Sequence, residues 1–246
     1  MIPTLELVVI GCVVGAVIGS YATTLALRAS WETAPSGGRS RCDGCDRRLG
    51  WLETAPIVSY VALKGRCRVC GDQISPFHPL GEMAGLVTGA ALVWLIPDLR
   101  LIPMAAIAAA LLAAAVLDAR IRKLPDLSAL IVAVCGGGLA LSGGRLIEGL
   151  MAAAISGVVL LITRAASRTR GGEPGVGLGD IYLICALALW LGAATPWMVA
   201  IAAVLGLAFA LVRKPGDGKV AFGPMIAAAG MGVGLLVEAN LWPGLS

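Results

Sequence analysis

Charged residues are scarce in this chain of 246 residues. Only 14% of the residues are Asp, Glu, Lys or Arg, whereas 58% are hydrophobic and the mean hydropathy is +0.89. Soluble domains carry about 25% charged residues, so this composition excludes a water-soluble protein and indicates an integral membrane protein.

Histidine is almost absent, which argues against histidine-dependent hydrolases such as zinc metalloproteases and serine hydrolases. His78 is the only histidine, and no second one is present to complete an H-E-x-x-H zinc motif. A serine mechanism is equally unsupported, because no G-x-S-x-G turn has a companion histidine. A lone histidine is more often structural than catalytic, and His78 is interpreted in that way.

The apolar residues are grouped into eight runs. These runs are 5–27, 79–97, 101–117, 127–142, 146–163, 181–194, 197–212 and 220–237. Each is close to the ~20 residues that a helix needs to cross the hydrocarbon core. The sequence therefore predicts an all-α polytopic membrane protein with about eight transmembrane helices. The first run has no Lys or Arg before Arg28, so we expect a retained helix and not a secretory signal.

Basic residues are distributed unevenly between the loops. If the N-terminus is outside and eight helices alternate, four loops share one side, namely 28–78, 118–126, 164–180 and 213–219. They hold all of the 19 Lys and Arg residues except Arg100 and Arg145. The positive-inside rule makes this side cytoplasmic. The basic residues thus report topology in a lipid bilayer, and we expect no nucleic-acid partner.

Four of the seven cysteines lie in the one long loop, which predicts a metal site. Cys42, Cys45, Cys67 and Cys70 form a C-x2-C-x21-C-x2-C pattern, the spacing of a tetrahedral Zn²⁺ site. Two disulfides are the alternative, but a reducing cytosol disfavours them. Four sulfur ligands leave no position for a catalytic water, so the zinc is predicted to be structural.

These features divide the chain into three predicted parts. Residues 1–27 form the first transmembrane helix, 28–78 a small cytoplasmic zinc-binding domain, and 79–246 a transmembrane helical bundle. The middle part has few core-forming residues, so metal ligation is expected to contribute directly to its folding free energy.

Two aspartates border predicted helices on the cytoplasmic side. Asp118 ends the third run and Asp180 precedes the sixth, 62 residues later. Two carboxylates at one membrane depth can share a proton, so that one activates a water as base while the other protonates the leaving amide. Gly177 and Gly179, in "GVGLG", would allow the backbone and an extended substrate to approach closely.

Other interpretations of the acids stay open. Asp118 has three basic residues nearby and fits a solvated charge cluster, whereas Asp180 fits a helix N-cap. Asp126 follows Pro125 and is interpreted as the start of the fourth helix. Glu82 lies inside the second apolar run and is predicted to be a substrate or structural contact.

The chain resembles the type IV prepilin peptidases, a family of bifunctional bacterial leader peptidases and N-methyltransferases. "GAVIGSYATTLALR" is similar to the first-helix pattern of the family, and the cysteine loop resembles its zinc-binding segment. "LDARIRKLPD" and "GLGD" resemble its two aspartate motifs, and "VAFGP" its last-helix motif. The second of these motifs, GLGD, is of the GxGD type that presenilin-type proteases share.

The resemblance implies a function in the bacterial inner membrane. It implies cleavage of basic leaders from prepilins or pseudopilins by Asp118 and Asp180, followed by methylation of the new N-terminus with S-adenosylmethionine. The four cysteines of the loop would bind zinc, and Gly65 and Arg66 fall in a stretch associated with methyl transfer.

Two positions depart from the family pattern, and two other functions compete with this one. Tyr182 stands where Lys is expected and Thr54 where Asn is usual, which bears on methylation or substrate docking more than on proteolysis. The alternatives are a non-enzymatic zinc-knuckle docking protein and a proton-coupled transporter. A transporter would place acids near the bilayer midplane, where only Glu82 and Glu148 are candidates.

Overall fold

A computed structural model describes residues 3–30, 40–169, 176–213 and 220–242. Within these ranges nine α-helices form, and their bounds are α1 Leu5–Ala29, α2 Val58–Ala62, α3 Phe77–Leu95, α4 Leu101–Ile121, α5 Asp126–Ser142, α6 Leu146–Thr169, α7 Leu178–Leu191, α8 Thr195–Arg213 and α9 Gly223–Glu238. Short 3-10 turns occupy Trp51–Thr54 and Gly192–Ala194. Pairing between extended segments is limited, in the described residues, to two isolated bridges in the cysteine loop. The predicted all-α class is confirmed.

Helix length and composition identify a membrane protein. Four stretches are long and apolar enough to cross a bilayer: Leu5–Ala29, Leu101–Ile121, Leu146–Ser167 and Leu178–Arg213. The last contains both α7 and α8, which the turn at Gly192–Ala194 separates. The apolar helices α5 and α9 have 17 and 16 residues, and so extend only about 24 to 26 Å. The count of eight crossings therefore stays a prediction.

The first three long helices alternate in direction. Gly11 and Gly19 of α1 lie against Gly89 and Gly81 of α3, so these two helices are antiparallel. The last turns of α1 and α4 pack together in a small apolar cluster, so α1 and α4 are parallel. Small residues at such contacts allow the backbones to approach closely, as is common in membrane helices.

The remaining long helices continue the alternation. Asp118 near the end of α4 meets Gly223 at the start of α9, and Arg100 before α4 meets Glu238 at the end of α9, so these helices are antiparallel. Trp190 near the end of α7 also meets Glu238, so α7 and α9 are parallel. Helix α5 runs parallel to α7, α6 runs antiparallel to α7, and α8 runs antiparallel to α9. The contacts that show this are Leu124–Gly179 and Gly136–Trp190 for α5, Gly149–Leu189 and Gly157–Cys185 for α6, and Gly206–Phe222 and Trp197–Trp242 for α8.

The bundle consequently has two chemically different ends. We call the end that carries Asp118, Asp180 and the cysteine loop the basic end. Among the described residues, Arg100 and Arg145 are the Lys and Arg residues that lie at the opposite end.

Helix α7 lies at the centre of the apolar core. Leu183, Leu187 and Trp190 are at most 1% exposed. The Trp190 ring packs so tightly on α9 that a Cβ at Gly234 would lie 2.0 Å from it. The helix that carries Asp180 is thus held by packing along most of its length.

Close contact between α1 and α3 can be tested with one added methyl group. A Cβ on Gly15 would lie 2.2 Å from the carbonyl oxygen of Gly85, and no side-chain rotation relieves a clash with backbone. We expect Gly15→Ala to lower the free energy of unfolding by about 1 to 3 kcal/mol, measured as a lower Tm in detergent. Gly138→Ala is the control, because nothing lies within 4 Å of its Cβ and both variants gain the same helix propensity. Equal Tm values would contradict the close contact.

Candidate active site

Asp118 and Asp180 come together at the basic end. Asp118 lies in the last turn of α4, and Asp180 lies in the first turn of α7. The two side chains are close enough for the charge of Asp118 to act on Asp180. Ala114, one turn before Asp118, and Leu183, one turn after Asp180, line a common small cavity, so α4 and α7 meet near the two acids. The chain thus brings together two carboxylates that are 62 residues apart in sequence.

Each carboxylate accepts a hydrogen bond from the backbone at the start of a helix. The N–H of Gly223 donates to Asp118 Oδ2 at 2.7 Å, and the N–H of Gly177 donates to Asp180 Oδ2 at 3.2 Å. Asp118 is 6% exposed, so a solvated charge cluster does not describe its surroundings. Asp180 caps α7 from the third helical position, since α7 begins at Leu178 and has Gly177 as N-cap.

The glycines before Asp180 allow a close approach between α7 and the segment after α4. A Cβ on Gly179 would lie 2.8 Å from the Cβ of Leu124. A Cβ on Gly177 would lie 2.9 Å from Asp180 Oδ2, in the path of the capping hydrogen bond. Both glycines therefore bear on where the Asp180 carboxylate sits.

Tyr182 stands apart from the carboxylates. It is 52% exposed and lines the small cavity formed by Leu124 and Pro125. Two residues along a helix correspond to a rotation of about 200°, so Tyr182 and Asp180 point to roughly opposite sides of α7.

The four loop cysteines converge. The sulfur atoms of Cys42, Cys45, Cys67 and Cys70 all lie within 4.8 Å of one another, and Cys42 Sγ is 3.7 Å from Cys70 Sγ. Such a set of thiols can hold one metal ion. The predicted grouping of the four cysteines is confirmed.

The two halves of this cluster repeat the same backbone structure. Cys42 N–H donates to the Arg47 carbonyl, and Cys67 N–H donates to the Asp72 carbonyl in the same way. Each half is closed by an isolated bridge, Arg41–Arg48 in the first and Arg66–Gln73 in the second. Spacing predicted which cysteines group together, but not this repeat.

Hydrogen bonds prepare one thiol to ionise. The backbone N–H groups of Cys70 and Val69 and the Arg47 guanidinium lower the pKa of Cys67 to about 6. Because metal ligands must be thiolates, this environment suits a metal site.

A cavity lies between the cysteine cluster and the basic ends of α1 and α3. Its lining includes Ser20, Tyr60, His78 and Glu82. Glu82 is 7% exposed; its carboxylate accepts hydrogen bonds from Ser20 Oγ at 2.7 Å and from the N–H of Ile57 at 2.6 Å. Glu82 is therefore apart from the aspartate pair and joins α1, α3 and the loop.

Gly65 and Arg66 lie beside this cavity, at the base of the second cysteine half. Gly65 is buried with φ +68, and its Cβ would lie 3.0 Å from the Tyr60 ring. Arg66 is exposed and donates to the carbonyl of Gly71 at 3.4 Å. Thr54 also lines the cavity, and its hydroxyl donates to the Trp51 carbonyl.

Sequence reasoning included Ser20 and Gly223 in two quoted motifs without assigning either residue a contact, and it did not single out Ile57. A backbone N–H that acts through tertiary contact leaves no side-chain pattern, which accounts for Ile57 and Gly223. The Gly-Pro pair at 223–224 also marks a helix start, which is a signal for the Gly223 N–H.

Comparisons with known proteins match most of the chain. The family model for the bacterial peptidase A24 N-terminal domain matches residues 13–96, and that for the type IV leader peptidase family matches residues 105–211. No solved structure matches the chain significantly.

Three curated relatives show the extent of the similarity. The prepilin leader peptidase/N-methyltransferase of Burkholderia pseudomallei (strain 1026b) is 37% identical over 204 residues, which cover 78% of this chain and 65% of the relative. The protein of the same name from Dickeya chrysanthemi is 30% identical over 257 residues, covering 92% of this chain and 90% of the relative. The type 4 prepilin-like proteins leader peptide-processing enzyme of Escherichia coli O78:H11 is 31% identical over 212 residues. The match covers 78% of this chain and 74% of the relative. Taken with the two family models, these relatives establish that the chain belongs to the type IV prepilin leader peptidase family.

Proposed function

We propose that this protein is a membrane-embedded aspartic endopeptidase that removes basic leaders from prepilins or pseudopilins and then methylates the new N-terminus. The convergence of Asp118 and Asp180 at the basic end carries the proposal. Named relatives are leader peptidases and N-methyltransferases, which supports both activities.

Cleavage would use the two carboxylates in complementary roles. One takes a proton from a water that attacks the scissile carbonyl, and the other gives its proton to the leaving nitrogen. Because two neighbouring carboxylates disfavour double ionisation, the pair suits the singly protonated state that this mechanism needs.

The location of the pair favours substrates with an apolar helix beside a basic leader. The positive-inside rule puts the basic end in the bacterial cytoplasm, because the described Lys and Arg residues other than Arg100 and Arg145 lie there. The alternating helix directions support eight crossings with the N-terminus outside. A prepilin helix docked in the bilayer would then present its leader at the level of Asp118 and Asp180.

Acid positions argue against the transporter alternative. In the described ranges, every acid on a long helix lies within six residues of a helix end. Glu82 accepts a hydrogen bond from the N–H of Ile57 in the cysteine loop. Glu148 accepts a hydrogen bond from the N–H of Ala193 in the turn between α7 and α8. Neither carboxylate lies at mid-helix, where a proton relay across the bilayer would need it.

Substitution of the aspartates tests the peptidase. We expect Asp118→Asn and Asp180→Asn each to reduce cleavage of a prepilin by about 10²- to 10⁴-fold, because each removes a proton-transfer group. Cleavage is followed by gel shift with purified protein in detergent. Asp126→Asn is the matched control, since this acid also lies at the basic end, as the first residue of α5. Wild-type cleavage by either single variant would end the two-carboxylate mechanism.

The cysteine cluster is proposed to hold a structural Zn²⁺. Tetrahedral coordination with Zn–S bonds near 2.3 Å separates the sulfurs by about 3.8 Å, which compares with 3.7 Å between Cys42 and Cys70. Cys42, Cys45, Cys67 and Cys70 fill all four positions, so the metal would fold the loop and bind no reactive water.

Metal analysis tests this site. We expect about one zinc per chain in the wild type and a loss of most of it in Cys67→Ser, because serine is a poor zinc ligand. Cys12→Ser is the control, since Cys12 lies in α1 outside the cluster. Zinc is measured by mass spectrometry after dialysis. Full zinc content in Cys67→Ser would contradict the proposed ligand set.

Methylation is proposed to take place in the cavity beside the cysteine cluster. When bound, S-adenosylmethionine would supply the methyl group from its sulfonium. The cavity offers the Glu82 carboxylate for a cationic group, and the Ser20 and Tyr60 hydroxyls for polar groups of the donor. Gly65 would shape the wall of the cavity through Tyr60, and Arg66 would stabilise the adjoining turn.

Separate measurement of the two activities tests this assignment. We expect Glu82→Gln to lower methylation and S-adenosylmethionine binding by about tenfold or more, because a charged hydrogen-bond partner is lost. Leader cleavage should persist, since Glu82 is apart from the aspartate pair. Glu6→Gln, at an exposed position in α1, is the control. Unchanged binding in Glu82→Gln would refute the cavity as the donor site.

A further inference from the structure

The start of α9 is directed at Asp118 through one backbone group. The N–H of Gly223 donates to Asp118 Oδ2 at 2.7 Å across 105 residues of sequence. Pro224 has no N–H, and the N–H groups of Met225 and Ile226 both donate to the carbonyl of Phe222. Within the first turn of α9, the Gly223 N–H is thus the donor that the helix turns outward.

Only glycine fits at this position. A Cβ on Gly223 would lie 2.8 Å from both the Cβ and Oδ2 of Asp118, and 3.0 Å from its Cγ. Both residues are buried, so a displaced carboxylate has little free space to enter. The hydrogen bond and the close contact together fix where the carboxylate lies.

The two carboxylates are not equivalent. Asp118 accepts the shorter bond, from the start of a separate helix, whereas Asp180 accepts a bond of 3.2 Å from Gly177, three residues earlier in the same segment. Both donors lie at helix starts, so the difference lies in the bond length, and the shorter hydrogen bond stabilises negative charge on its acceptor more strongly. This asymmetry favours ionised Asp118 and protonated Asp180.

We propose that Gly223 is a positioning residue that makes Asp118 the general base and leaves Asp180 as the general acid. The inference rests on the proposed peptidase function. Asp118 takes a proton from water as the water oxygen bonds to the scissile carbonyl carbon. Asp180 gives its proton to the amide nitrogen as the carbon–nitrogen bond breaks. Transfer of one proton from Asp118 to Asp180 then restores the starting state.

Kinetics of two glycine variants in α9 test the positioning role. In Gly223→Ala, kcat for cleavage of a prepilin-like peptide should fall by about 100-fold or more, because the base is displaced, while KM changes less than about twofold. Gly232→Ala makes the same change in the same helix where nothing lies within 4 Å, and should match the wild type. Zinc content and Tm show whether each variant is folded. A folded Gly223→Ala protein with wild-type kcat would overturn the positioning role.

An ester substrate tests the assignment of acid and base, even if Gly223→Ala does not fold. Replacing the scissile amide nitrogen by oxygen gives a leaving group that needs less protonation. We expect the ester to restore cleavage by Asp180→Asn at least about tenfold relative to the amide peptide, and to leave Asp118→Asn inactive. Rescue of Asp118→Asn instead, or rescue of neither variant, would refute the assignment.

These outcomes separate the inference from the proposed function. If either Asn variant cleaves the amide peptide at the wild-type rate, the two-carboxylate mechanism itself fails. If both are inactive on the amide but the ester pattern is reversed, only the acid and base assignment fails.

Discussion

A carboxylate buried at the end of an apolar bundle needs hydrogen-bond donors, and this need governs how α4, α7 and α9 meet. An unpaired buried charge is costly. The unsatisfied backbone N–H groups at helix starts are strong donors. Two helices therefore begin beside the carboxylate pair, α7 with Gly177 and α9 with Gly223. Glycine at both positions follows from the short distance that such bonds require.

The same three helices are tied again at the opposite end. Glu238, the last residue of α9, is 2% exposed and accepts bonds from Arg145 at 2.5 Å and from the Trp190 indole at 3.1 Å. Arg100, next to the start of α4, lies 3.4 Å from its other oxygen. Removing one partner from a buried charged network is strongly destabilising. Helix α9 is therefore fixed to α4 and α7 at both ends, which keeps Gly223 in register with Asp118 and preorganises the pair.

Local patterns predicted the main elements, and tertiary contacts supplied the rest. Hydrophobic runs predicted the eight long helices that the described residues form, and cysteine spacing predicted which four thiols converge. The sixth run was predicted to begin at residue 181, whereas α7 begins at Leu178. The glycines before residue 181 are not part of the apolar run, so hydropathy placed the helix start too late. The hydrogen bond from Gly177 to the Asp180 side chain caps the helix and allows it to include Gly179. Asp118 could be found as an acid at a helix end, but its donor lies 105 residues away and is a backbone group.

The two departures from the family pattern fall at different sites, which separates their consequences. Tyr182 projects from roughly the opposite side of α7 to Asp180, and the backbone hydrogen bonds to the two carboxylates come from Gly223 and Gly177. Thr54 lines the cavity beside the cysteines, and a longer Asn side chain would reach farther into it. The helix ends near the two sites are in contact, because the guanidinium carbon of Arg120 at the end of α4 lies 5.9 Å from the centre of the Phe77 ring at the start of α3. In the proposed function, this contact would bring the cleavage site at Asp118 and the methylation site in the cavity to the same end of the bundle, as two reactions in sequence on one substrate require.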